Sequence, residues 1–155
     1  MNIETHKSLL ILGLGNCLLA DEGVGCHVAQ HLQKMDLPAD VEVVDGGTGG
    51  FELIDHFHGK TKVVIIDCID MNAPSGSIVR LSLEELDLRQ PHPFSAHDGG
   101  ILELLTSING LTPPPHVVVY GIVPAVLNRL DTNLSPTLRA QLPKIISVVL
   151  DDLTT

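Results

Sequence analysis

Between Lys62 and Ile69 the chain carries Val63-Val64-Ile65-Ile66, four consecutive β-branched apolar residues with no polar alternation. A strand with one wet face alternates apolar and polar side chains, whereas a strand covered by helices on both faces is apolar throughout. This run therefore predicts a central strand in a sheet sandwiched between helical layers.

The flanking segments fit that architecture. Ser8 to Leu14 is a short apolar run ending at the Gly13 and Gly15 pair, which predicts a buried strand entering a tight turn. Val24, Val28, Ala29, His31 and Leu32 recur at helical spacing behind Asp21, placed to cap the amides of the first turn. The pattern repeats with a strand at Val41 to Val44, a turn at Gly46 to Gly50 and a short helix from Phe51 to about Phe57. After the central strand come a strand at Ser77 to Leu81, a helix at Ala96 to Ile108, a strand at Val117 to Ile122 and a helix at Leu138 to Leu153. The alternation predicts a three-layer α/β/α sandwich with a mostly parallel central sheet of about five strands, as one domain over residues 1–155.

Charge and composition narrow the function. With 19 acidic against 9 basic side chains the net charge is -10, which opposes nucleic-acid and anionic-membrane partners. An aromatic content of 3% leaves no stacking platform for single-stranded bases. Cys17, Cys26 and Cys68 are odd in number and form no C-x-x-C pair, as expected of reduced cytoplasmic thiols. The first apolar run meets Asp21 and Glu22 before it could span a bilayer, so a soluble, cytoplasmic protein with no membrane partner is expected.

Ligands of such sheets bind at the carboxyl ends of the strands, where loops converge. Three polar clusters fall there, Asn16 to Gly25, Asp45 to Gly50 and Asp67 to Asp70, and Ser95 to Gly99 is a fourth candidate. Gly13-Leu14-Gly15-Asn16 begins like a dinucleotide fingerprint, but the third glycine is misplaced, and Asp21 and Glu22 would repel a pyrophosphate. No G-x-S-x-G elbow, Walker lysine or H-E-x-x-H motif occurs. His27 and His31 are i, i+4 neighbours that could share a metal or simply line a partly solvated helix face.

What remains is Glu22, Asp67 and His97, on three separate loops. Two oxygen donors and one nitrogen can converge on a divalent first-row metal and leave positions open for water or substrate. Plainer roles exist for each: helix-dipole stabilisation by Glu22, turn formation by Asp67, a loop position for His97.

The ordered segments add to this reading. Ile11-Leu-Gly-Leu-Gly-Asn-Cys-Leu-Leu-Ala-Asp-Glu-Gly-Val-Gly25 closely resembles the opening of the nickel-iron hydrogenase maturation endopeptidases. Asp45-Gly46-Gly47-Thr48 is similar to that family's glycine-rich loop, Ile65-Ile-Asp-Cys-Ile-Asp70 to its central strand and acid, and Ser95-Ala-His-Asp98 to its histidine segment. The resemblance runs in family order across most of the chain. It implies an endopeptidase that removes a C-terminal extension from a nickel-iron hydrogenase large-subunit precursor after nickel insertion. It also implies that Glu22, Asp67 and His97 contact the metal and that nickel arrives with the substrate. The Asp45 to Thr48 segment is expected to meet the precursor tail, its glycines allowing close backbone approach. A monomer needs no further assumption.

Two other readings share some of these residues. A nickel carrier or chaperone would use the same Glu, Asp and His without hydrolysis. The peptidyl-tRNA hydrolases also open with a strand followed by Gly-Leu-Gly-Asn, but continue with a proline-glycine turn and a basic surface where this chain has Cys17-Leu-Leu-Ala-Asp-Glu22 and an acidic balance.

Overall fold

The structure, a computed structural model, describes residues 6–86 and 99–155. Five strands form one sheet: β1 Leu9–Leu14, β2 Val41–Gly47, β3 Lys62–Cys68, β4 Ile78–Ser82 and β5 His116–Ile122. Their order is β2-β1-β3-β5-β4. β1, β2, β3 and β5 are parallel, and β4 closes one edge antiparallel to β5. β3 lies mid-sheet with all seven residues buried, as its unbroken apolar run requires.

Alternate residues of β3 feed two cores. Val64, Ile66 and Cys68 pack with Val24, Val28 and Leu32 of α1 (Val24–Gln33) and with Leu138, Leu142, Ile145 and Val149 of α3 (Pro136–Asp152). Val63 and Ile65 face Ile101, Leu104 and Leu105 of α2 (Gly99–Ser107), together with Leu53 and Phe57 of the 3-10 helix Phe51–Phe57. The expected three layers and five strands are therefore present. Among the described residues no helix is long and apolar enough to cross a membrane.

The boundaries shift in two instructive places. β2 runs on to Gly47, so Asp45, Gly46 and Gly47 belong to the strand and only Thr48 to Gly50 turn away from it. The extension is enforced from β1: Gly13 pairs with Asp45, Leu14 pairs with Gly47, and the Gly15 amide donates to the Gly47 carbonyl at 2.9 Å. The second shift is at α1, which has Gly23 at its N-cap and no side-chain cap. Asp21, expected to cap it, sits instead in a 3-10 turn, Ala20–Gly23, and its carboxylate serves another part of the chain.

The strand order also locates the crevice. From β1 the chain steps outward to β2 and then returns past β1 to β3, so the connections leave β1 and β3 in opposite directions. In open α/β sheets such a reversal is where a ligand crevice is expected, here at the carboxyl ends of β1 and β3.

Candidate active site

Glu22 reaches the cleft because the turn that carries it lies unusually close to the sheet. Gly15, at φ +135°, ends β1, and a Cβ there would stand 2.0 Å from the Glu22 carbonyl oxygen. Gly25, at the start of α1, faces the Leu14 and Ile66 carbonyls, and a Cβ would meet them at 2.2 and 2.3 Å. Without side chains at these positions, the loop settles directly onto the ends of β1 and β3. Glu22 is 4% exposed, and its Oε2 accepts the Asn128 backbone N–H at 3.0 Å.

Asp67 arrives on β3. Its predecessor Ile66 pairs with Gly13 of β1, and Asp67 itself pairs with Gly121 of β5. Asp67 is fully buried, and its Oδ1 accepts the Cys68 amide at 2.7 Å. The 3-10 turn bearing Glu22 lies against β3, so the two carboxylates approach the switch point from neighbouring elements. The Cys68 thiol registers the resulting acidity. Burial, followed by the negative charges of Asp67, Glu22 and Asp21, pushes it well above the ordinary thiol range. Cys26, buried under the first loop with its Sγ donating to the Gly15 carbonyl at 3.1 Å, is also pushed up, chiefly by burial. Neither thiol is prepared to act as a thiolate nucleophile.

His97 and the rest of Ser95 to Asp98 lie outside the described residues. Among the described residues no group of three His, Cys, Asp or Glu side chains could hold a metal ion. Of the i, i+4 pair His27 and His31, the His31 ring is exposed and donates from Nδ1 to the His27 carbonyl at 2.9 Å. The glycine segment borders the cleft through the Gly15 to Gly47 bond. Asp45 is held there by Gln30 Nε2 donating to Oδ2 at 3.0 Å and by the Gly47 amide donating to Oδ1 at 3.1 Å.

Asp21 is the residue whose task sequence reasoning missed. Its Oδ2 accepts the Ala125 and Val126 amides, each at 2.9 Å, and its Oδ1 accepts the Ser135 amide at 2.8 Å. Three amide donors solvate a fully buried carboxylate in place of water. The bonds tie the Glu22 turn to the segment joining β5 to α3. The sequence carried no sign of this task, because the partners are remote along the chain and donate through backbone amides.

Chemically, buried carboxylates on two elements at the head of a sheet can share a cation or exchange protons with a bound water. The family model described as hydrogenase maturation protease matches residues 26–152. A putative hydrogenase maturation protease of Methanocaldococcus jannaschii is 31% identical over 153 residues, covering 95% of this chain and 97% of that protein. The hydrogenase 2 maturation protease of Escherichia coli is 32% identical over 146 residues, covering 92% and 88%. The solved structure of the hydrogenase maturating endopeptidase HybD from E. coli superimposes with a TM-score of 0.80 at 29% identity, covering 94% of this chain and 91% of that one. On this agreement of sequence and fold, the chain belongs to the hydrogenase maturation proteases, endopeptidases that hydrolyse a peptide bond.

Proposed function

We propose that this endopeptidase removes a C-terminal extension from a nickel-iron hydrogenase large-subunit precursor, in the cytoplasm and as a monomer, and that nickel already seated in the precursor is its recognition signal. The observation carrying this reading is the burial of Glu22 and Asp67 together at the β1–β3 switch point. Carboxylates so placed are costly unless a cation or hydrogen bonds compensate them, and oxygen donors suit a first-row divalent ion.

In this reading Glu22, Asp67 and His97 contact the substrate's nickel. α2 begins two residues after His97 and packs on the sheet face fed by Val63 and Ile65, the face to which alternation along β3 also assigns Asp67. The metal ion beside the scissile carbonyl polarises it or lowers a water pKa toward about 7. Glu22 or Asp67 takes the proton of the attacking water. The raised thiols of Cys26 and Cys68 favour direct attack by water over an acyl-enzyme. Asp45, Gly46, Gly47 and Thr48, at the carboxyl end of β2, receive the tail.

The test is mass spectrometry of nickel-loaded and nickel-free precursor after incubation with wild type, Glu22→Gln, Asp67→Asn and His97→Ala. Wild type should shorten only the loaded form, and each variant should leave it intact. Normal cutting by all three variants would remove the site assignment. Nickel uptake with an intact tail would favour a carrier.

A further inference from the structure

The segment joining β5 to α3 exposes two large apolar side chains beside the catalytic turn. Leu130 is 82% exposed and Leu127 37%, and on the facing strand of chain Leu18 is 53% exposed. Backbone pairing brings Leu18 and Leu130 side by side. Leu19 and Asp131 form a parallel bridge, the Asp131 amide donates to the Leu18 carbonyl at 2.9 Å, and the Ala20 amide donates to the Asp131 carbonyl at 2.8 Å. Leu18 and Leu130 are therefore the preceding residues on two paired segments. Asn128, between Leu127 and Leu130, donates its amide to the Glu22 carboxylate.

The segment does not need these leucines to hold its shape. Polar bonds from Asp21 to Ala125, Val126 and Ser135, from Glu22 to Asn128, and across the bridge to Asp131 already fix it. A preset backbone that offers apolar side chains to water, on a chain of net charge -10, has the character of an interaction surface. Its occupant follows from its position. An endopeptidase must draw a polypeptide across the cleft at Glu22, and whatever lies there also covers the segment bonded to Glu22.

We infer that Leu18, Leu127 and Leu130 form a ledge that seats an apolar stretch of the polypeptide substrate flanking the scissile bond. The inference rests on the proposed function, since it takes the precursor as that polypeptide. The ledge contributes to binding rather than to the chemical step, so its loss raises KM and Kd and spares kcat.

The test compares wild type with the Leu127→Ser/Leu130→Ser double variant, the conservative Leu127→Met/Leu130→Met double variant, and Met35→Ser. Met35 is a comparably exposed apolar residue just past the far end of α1. Kd for nickel-loaded precursor, KM, kcat and thermal unfolding are measured for each. The serine pair should weaken Kd and KM by about tenfold or more, with kcat and unfolding kept, while the other two variants stay within about twofold of wild type. Kd within about twofold of wild type for the serine pair would overturn the ledge. An equal loss for Met35→Ser would overturn it too, as would a wild-type dimer that the serine pair splits with KM unchanged. A wild type that binds precursor without cutting it refutes the proposed function, while the Kd comparison still decides the ledge. A wild type that binds none refutes both.

Discussion

Asp21 and Ser135 stand 114 positions apart, yet the Asp21 Oδ1 accepts the Ser135 amide at 2.8 Å. Ser135 is also the N-cap of α3, its Oγ accepting the Leu138 amide. One buried carboxylate thus links the turn bearing Glu22, the loop that follows β5 and the start of the last helix.

Removing that link has a definite expected cost. Asp21→Ala leaves three amides without their acceptor; those of Ala125 and Val126 lie on a partly exposed stretch that water can reach, whereas the Ser135 amide is buried and costs about 1–3 kcal/mol when unsatisfied. Urea unfolding should show a loss of about 1–3 kcal/mol. Asp21→Asn keeps one acceptor oxygen and should fall between the alanine variant and wild type, with reduced kcat because the turn bearing Glu22 is held by fewer bonds. Wild-type stability in Asp21→Ala would dismiss the clamp.

Gly25 carries the close approach of α1 to the sheet. A methyl group there meets backbone oxygens at 2.2 and 2.3 Å, and backbone cannot yield as a side-chain tip can. Gly25→Ala should lower stability by about 3 kcal/mol or more, at the upper end of overpacking effects, and lift Glu22 out of place. An unfolding midpoint equal to wild type would contradict the packing described.

Gly47 separates conformation from contact. Its φ is +54°, and a Cβ would meet nothing within 4 Å. Valine there is strained by about 1–2 kcal/mol in the left-handed region, whereas asparagine enters it readily. Gly47→Asn should therefore keep the unfolding midpoint and raise KM for the precursor severalfold, since its side chain projects where the tail is expected. Unchanged KM would reduce the segment to a plain strand end.

How much of this was legible beforehand depended on whether the cause was local. Val63 to Ile66 announced the central strand because burial on both faces is written in consecutive residues, and Gly13 and Gly15 announced the tight turn after the first strand. Glu22 and Asp67 were legible as loop and strand-end acids, and the structure packs the turn bearing Glu22 against β3, which carries Asp67. Asp21 was misread as a helix cap because its partners, Ala125, Val126 and Ser135, are remote in sequence and donate through backbone, which carries no side-chain signature. The continuation of β2 through Gly46 and Gly47 was hidden for a related reason: two glycines look like a turn until the register with β1 is known.

Asp152 was also invisible in sequence, and it governs the last prediction. Lying at the end of α3, it accepts from Lys62 Nζ at 2.6 Å and Arg80 Nε at 2.7 Å, and from the Tyr120 hydroxyl. Lys62 opens β3, so this cluster joins the sheet to α3 at the end opposite Asp67. Burial by itself would raise the Asp152 carboxyl, but the hydrogen bonds from Arg80, Lys62 and Tyr120 outweigh it and hold the group far below the usual carboxylate range. Because the folded value lies below the unfolded one of about 3.9, the contribution is complete above that pH and disappears as acid protonates the folded carboxylate. Tyr120 moves oppositely: burial and then the Asp152 bond push its hydroxyl up to about 12. Its contribution is complete below about pH 10 and is lost as pH rises through the folded value. Stability by urea unfolding should therefore fall below about pH 4 and again above about pH 10. Asp152→Ala, which strands the buried Lys62 ammonium, should cost about 3–5 kcal/mol at neutral pH and flatten the acid limb. An acid limb as steep in Asp152→Ala as in wild type would assign acid sensitivity to other carboxylates.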